Sequence, residues 1–279
     1  MTNLTNKTIG FIGAGNMGQS IIEGLLQSDD RPKKIYACDH HPERISHLYQ
    51  KGLIELVPDN GTLVKLVDIV ILAVKPQSMK PLFAEIKEHL YQSPLIISIA
   101  AGITLKQIRT HLALSHDYPL VRIMPNTPAL IQKGVIGLYA DNIDESQKEL
   151  AEIIMQKVGA CVWLTDEKHM DVVTALSGSG PAYFFYFLDA MIQEAVRLGL
   201  SEETAKTLTF ETGLGAIEMA KSSKESLNTL RQKVTSKGGT TEAGLDVFQE
   251  NHLDKVIAKA IHAATQRGEV LSKNLDHSK

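Results

Sequence analysis

A short apolar run, Thr8-Ile9-Gly10-Phe11-Ile12, leads straight into three glycines spaced as Gly13-Ala14-Gly15-Asn16-Met17-Gly18. A helical pattern begins at about Asn16, so the glycines stand at a strand-to-helix turn. Each has a task that a side chain would obstruct. Gly13 makes the tight turn, Gly15 lets backbone approach a pyrophosphate, and Gly18 lets helix and strand pack closely. The pyrophosphate then rests on unspent N–H groups at the positive end of the helix. Gly13, Ala14, Gly15, Asn16, Met17 and Gly18 are therefore expected to hold a dinucleotide.

The pattern behind that turn repeats. Apolar runs at Lys34–Cys38, Asp68–Val74, Leu95–Ile99, Leu120–Met124, Val135–Tyr139 and Cys161–Leu164 alternate with amphipathic stretches such as Met17–Gln27. Runs this continuous in Ile and Val suit strands buried on both faces of a parallel sheet. The alternation predicts βαβ units and a doubly wound, mostly parallel sheet of the Rossmann type over residues 1–164. After Thr165 strand-like runs cease and helical periodicity takes over, carried by residues such as Phe184, Leu188, Ile192, Leu214, Ile257 and Ile261. Residues 165–279 are expected to form an all-helical domain, whose Ala- and Gly-bearing helices can pack against each other or a second subunit. The fold class expected is α/β, an N-terminal Rossmann domain followed by a helical substrate and dimerisation domain.

Composition excludes more than it selects. A formal net charge of −3 over 279 residues offers no long-range attraction to nucleic acid or an anionic membrane. A small-molecule partner is expected, with no nucleic acid and no membrane. The opening MTNLTNKT lacks a charged-then-apolar leader pattern, and no apolar run reaches the ~20 residues of a membrane helix. Cys38 and Cys161 are too few for a disulfide framework and read as buried thiols of a reduced, cytoplasmic protein. No metal site is expected.

Further candidates lie at the ends of the strands, where parallel sheets border their ligands. Asp39 ends the second strand roughly 20 residues past the last glycine, where an acid usually accepts the ribose hydroxyls of NAD. His40, His41 and Arg44 beside it can instead offset that charge and hold the extra phosphate of NADP, so both cofactor forms stay open. Val74-Lys75-Pro76 and Ala100-Ala101-Gly102 end two more strands and should line the dinucleotide, with Lys75 able to neutralise phosphate. Asn60 stands in the Asp59-Asn60-Gly61 turn. Met124-Pro125-Asn126-Thr127-Pro128 reads as a stiff wall near the nicotinamide.

Two motifs in the helical half carry the rest. Ser177-Gly178-Ser179-Gly180-Pro181-Ala182-Tyr183 interrupts a helical pattern with small residues. Ser236-Lys237-Gly238-Gly239-Thr240-Thr241-Glu242-Ala243-Gly244-Leu245 places two glycines and two threonines at a helix start, where free N–H groups and a hydroxyl suit a carboxylate, although a plain loop with a threonine cap would read the same way.

Together FIGAGNMG, AVKP, SIAAGI, MPNTPA, SGSGPAY and SKGGTTEAGL make the chain resemble the pyrroline-5-carboxylate reductase family along nearly its whole length. The last segment is the most specific. The resemblance implies reduction of a cyclic imine, 1-pyrroline-5-carboxylate, to L-proline by NADPH or NADH, with NADP(H) the usual form. It implies a homodimer or ring of dimers through the C-terminal helices. It gives Gly239 and Thr240 backbone N–H groups for the substrate carboxylate, and Thr241 a hydroxyl near the imine nitrogen as the catalytic group. Asn60, Val74, Lys75 and Ala101 match cofactor-contacting positions. The chain departs from the family at Lys237, usually proline, at Lys233, often uncharged, and at Asp39, commonly a small polar residue. A β-hydroxyacid dehydrogenase would need an acid–base lysine that SGSGPAY lacks, and a non-catalytic redox sensor would have no use for the carboxylate anchor.

Overall fold

The structure is a computed structural model that describes residues 3–277. Its strands are β1 (Thr8–Ile12), β2 (Lys34–Cys38), β3 (Glu55–Leu56), β4 (Ile69–Leu72), β5 (Leu95–Ser98), β6 (Leu120–Met124), β7 (Gly134–Ala140) and β8 (Gly159–Trp163). They form one sheet in the order β3-β2-β1-β4-β5-β6-β7-β8. Neighbours pair in parallel except β6 and β7. Residues 125–133 joining those two are too few for a helical crossover, and a short link returns the chain antiparallel. Order reverses between β1 and β4, the place where doubly wound sheets open a ligand crevice.

The helices are α1 (Asn16–Gln27), α2 (Ser46–Gln50), α3 (Asn60–Leu66), α4 (Met79–Ile86), α5 (Leu105–Leu112), α6 (Glu145–Gln156), α7 (His169–Val173), α8 (Gly180–Arg197), α9 (Glu202–Ser222), α10 (Leu227–Lys233), α11 (Thr240–Glu250) and α12 (Leu253–His277). On one face of the sheet Ile9 and Phe11 pack with Ile21, Ile22 and Leu25 of α1 and Ile154 and Met155 of α6. On the other, Ile12, Val70 and Leu72 pack with Leu63 of α3, Phe83 of α4 and Ile108 of α5. Covering both faces explains why β4 and β5 are buried at every position. Each large side chain so buried contributes about 1.5–3 kcal/mol. The expectation of two-sided burial fails at β8, which ends the sheet: its residues alternate in exposure and Val162 is 51% exposed. Cys38 and Cys161 are half-buried, and burial pushes their thiols up to about 11 and about 12.

The chain packs into two compact units, residues 3–179 with 263–277, and residues 180–262. The strand pattern stops near residue 164, but the first unit continues through α7 to Ser179 and takes in the later part of α12. That part is fastened to α5 by Gln107, whose Nε2 donates to the Ser272 carbonyl at 2.7 Å. Nearby Arg122, 3% exposed on β6, donates to Glu167 at 2.9 Å, and the same carboxylate oxygen accepts the Leu105 N–H at the start of α5. Burial raises the Asp171 carboxyl above its usual range, and Arg122 offsets this in part.

The second unit buries little of its own surface. Phe184 is 60% exposed, Phe185 65% and Tyr186 81%, and Leu208, Phe210, Leu214 and Ile217 are each about half exposed. Exposed apolar surface on this scale marks an interaction face. No helix among the described residues is long and apolar enough to cross a membrane.

Candidate cofactor and substrate sites

The glycine turn adopts the shape its sequence demands. Gly13 has φ +91°, and a Cβ there would lie 2.7 Å from the Ala73 carbonyl oxygen of the neighbouring strand end. A Cβ on Gly18 would lie 2.8 Å from the Gly13 carbonyl oxygen, while none of the surroundings comes within 4 Å of one on Gly15. Gly15 caps α1 in extended geometry, leaving the first N–H groups of that helix facing open space. The turn is thus closed behind and open in front, which fits a pyrophosphate.

Two cavities flank it at the carboxyl ends of the strands. One, of about 400 Å³, is lined by Gly13, Asp39, His40, Asp59, Asn60, Val74 and Glu85 among others. The other, of about 590 Å³, is lined by Gly15, Asn16, Met17, Arg44, Val74, Lys75, Ala101, Met124 and Pro125 among others. The strand-end candidates are therefore brought together, with Val74 facing both cavities. Ala14 and Gly18 line neither. Gly18 sits beneath the turn, and Ala14 is fully buried with its N–H donated to Asp39 Oδ2 at 2.5 Å.

That bond defines what Asp39 does locally. Its other oxygen accepts the His41 N–H at 2.6 Å, so one carboxylate ties the end of β2 to the glycine turn and to its own loop. Asn60 opens α3, where the Asp59 side chain accepts the Thr62 N–H at 2.7 Å, and hydrogen bonds from Thr62 hold the Asp59 carboxyl below its usual range. Asn60 Nδ2 donates to Glu85 at 2.6 Å. This cavity is consequently acidic, carrying Asp39, Asp59 and Glu85 against one histidine, whereas Arg44 and Lys75 stand at the other.

Asn126, which the sequence places in a wall, follows Met124 and Pro125 of the second cavity and fixes their loop. Asn126, 8% exposed, donates from Nδ2 to the Ser177 carbonyl at 3.1 Å and accepts the Val135 N–H at 2.9 Å. The small-residue segment it grips runs as a π-turn over Thr174–Gly178, closed by the Ser179 N–H on the Thr174 carbonyl at 2.8 Å. Such turns are rare and concentrate at functional sites. The signal available in the sequence was the pair of prolines around Asn126, which fix a loop but do not say what its side chain grips.

In the second unit, α11 begins at Thr240 with Gly239 as its cap. Ser236 to Gly239 form a turn in which the Gly239 N–H donates to the Ser236 carbonyl at 2.9 Å, and Gly238 has φ +71°. Gly239, expected to offer its N–H outward, thus spends it within the loop. Thr240 and Thr241 follow, both exposed, and their N–H groups belong to a helix start that has no internal acceptors for them. Glu242 turns back and accepts the Gly238 N–H at 2.5 Å. Lys233 is paired within its own chain, with Nζ 2.7 Å from both carboxylate oxygens of Glu225.

Among the described residues no group of three His, Cys, Asp or Glu side chains is arranged to hold a metal ion. The arrangement is that of two glycine turns, each opening a helix whose first N–H groups have no internal acceptors.

Comparison with known proteins matches two separate stretches of the chain. Residues 167–271 match a family described as pyrroline-5-carboxylate reductase dimerisation, and residues 8–102 match one described as NADP oxidoreductase, coenzyme F420-dependent. The chain is 42% identical to the pyrroline-5-carboxylate reductase of Pseudomonas aeruginosa, over 98% of this chain and 99% of that one. The structure of a pyrroline-5-carboxylate reductase from Coxiella burnetii is similar at a TM-score of 0.88 and 38% identity, covering 98% of this chain and 99% of that one. A Plasmodium falciparum pyrroline carboxylate reductase with NADP bound is similar at 0.87 and 28% identity, covering 97% and 100%. An identity of this size along the whole length, joined to both glycine turns, places the chain in the pyrroline-5-carboxylate reductase family.

Proposed function

We propose that the chain reduces 1-pyrroline-5-carboxylate to L-proline, the last step of proline biosynthesis, with Thr240 and Thr241 holding the substrate. The observation that carries this reading is the start of α11, where exposed N–H groups and the Thr241 hydroxyl stand together on a glycine turn. The N–H groups of Thr240 and Thr241 take the substrate carboxylate at the positive end of the helix. Gly239 contributes by shaping the cap. The Thr241 hydroxyl donates to the ring nitrogen, orienting it and helping its protonation, which makes C5 more electrophilic. Bound at the strand ends, the reduced nicotinamide supplies the hydride that C5 accepts. Asn16 and Met17 would hold its pyrophosphate, and Met124, Pro125 and Ala101, which line the same cavity, would wall the ring against water.

The choice of cofactor form rests on Asp39. A 2′-phosphate at the end of β2 would face a fixed carboxylate in a cavity that also holds Asp59 and Glu85, with Arg44 turned to the other cavity. Like charges at close range are unfavourable by several kcal/mol at an effective dielectric constant of about 20. This narrows the family's preference without reversing it, since His40, His41 and Arg44 follow Asp39 in the same loop: NADPH is the expected form and NADH the alternative.

Residues 165–279 act as the substrate and oligomerisation domain, and their exposed aromatic face is covered by a second copy of the chain. Homodimers, or rings built of them, follow, in a reducing cytoplasm where two half-buried thiols stay free. Oxidation of NADH and NADPH by the purified protein with pyrroline-5-carboxylate, side by side, tests the reading. Turnover with both, faster with NADPH, is expected, and no turnover with either would overturn it.

A further inference from the structure

Between Ser236 and Leu245 the sequence holds a single acidic residue, Glu242. It is the third residue of α11, and an acid there ordinarily reaches back to the N–H of the cap residue. That N–H, on Gly239, is already spent on the Ser236 carbonyl. Glu242 reaches one residue further and takes the Gly238 N–H. Both glycine peptides are thereby fixed, one by the turn and one by the helix.

Little else fixes them. Gly238 has φ +71°, and nothing lies within 4 Å of where its Cβ would stand, so packing does not hold it. Lys237 before it is exposed. A turn with a positive φ at its third position is stiffened most readily by proline at its second. Here the second position is Lys237, which leaves that torsion free.

We infer that Glu242 is a positioning residue for the substrate, whose carboxylate replaces the missing proline as the restraint on the loop that presents Thr240 and Thr241. It acts as a hydrogen-bond acceptor and transfers no proton. The inference rests on the proposed substrate reading.

The test is steady-state kinetics on wild type, Glu242→Ala, Glu242→Gln and the double variant Lys237→Pro/Glu242→Ala, with melting temperature and elution volume recorded for each. Losing a charge-assisted hydrogen bond that orders a loop is expected to raise KM for pyrroline-5-carboxylate about tenfold in Glu242→Ala. Its kcat, its KM for NADH and its pH profile should stay close to wild type. Glutamine keeps an acceptor oxygen, so Glu242→Gln should return KM to within about threefold of wild type. Proline in the double variant should recover most of the loss. A wild-type KM in Glu242→Ala overturns the inference, as does a Gln variant as impaired as the Ala variant, since either removes the hydrogen bond from the account. Should Glu242→Ala not fold, the Gln and double variants decide by the same criteria. Failure of wild type to turn over the imine would sink the substrate reading instead, a separate result in the same assay.

Discussion

The two glycine turns answer to different forces. At Gly13 the backbone is hemmed in, with the Ala73 carbonyl 2.7 Å from any added Cβ, and a buried strand end on each side. At Gly238 the surroundings are empty, and shape is imposed by a positive φ and by hydrogen bonds from within the loop. The first turn is a consequence of the core and forms when the sheet forms. The second is a local construction whose geometry depends on a few polar contacts. A dinucleotide site of the first kind should tolerate substitution poorly, and a substrate site of the second kind should be adjustable.

Four variants break or sharpen that contrast. The largest effect is expected from Thr241→Ala, which removes a positioned donor and should lower kcat about 10²–10³-fold without changing melting temperature. Wild-type turnover in that variant would detach Thr241 from the chemistry. Gly13→Ala should weaken NADH binding by about 10²-fold and lower the melting temperature, because a strained φ and a backbone collision act together. Titration of cofactor fluorescence and thermal melts read both, and an unchanged melt would deny that the first turn is set by the core. Asp39→Ser should raise the NADPH-to-NADH ratio of kcat/KM about tenfold or more, by removing a fixed like charge. An unchanged ratio would take Asp39 out of cofactor choice. The smallest change belongs to Gly238→Ala, where a left-handed torsion costs about 1–2 kcal/mol but nothing collides. KM for the imine should rise several-fold while NADH binding stays the same, and parallel losses in both would erase the distinction between the turns.

The parts legible in the sequence were those written in continuous residues. Thr8–Ile12, Lys34–Cys38 and Leu120–Met124 are strands with the expected bounds, since unbroken apolar runs have no other comfortable place than a covered sheet. β3, with two residues, offers no periodicity to read. The reversal of β7 was hidden because burial leaves the same apolar trace whichever way a strand runs. The acid at 39 was visible, but its bond to Ala14 was not, for the partners are 25 residues apart and meet only through sheet pairing. Glu242 lay in plain view within the substrate motif. An acid in the first turn of a helix looks like a favourable charge near the dipole, and only the spent N–H of Gly239 shows why it reaches further.

The return of residues 263–277 to the first unit has a consequence for how the chain is made and how it can be taken apart. Gln107 and the Ser272 carbonyl it holds are 165 positions apart, with the whole helical unit synthesised between them. The sheet can condense while synthesis continues, but its last supporting helix arrives only after residues 180–262 have left the ribosome. No single proteolytic cut can therefore release both units whole. A fragment ending near Ser179 should hold its sheet yet melt earlier than the same unit within the intact chain.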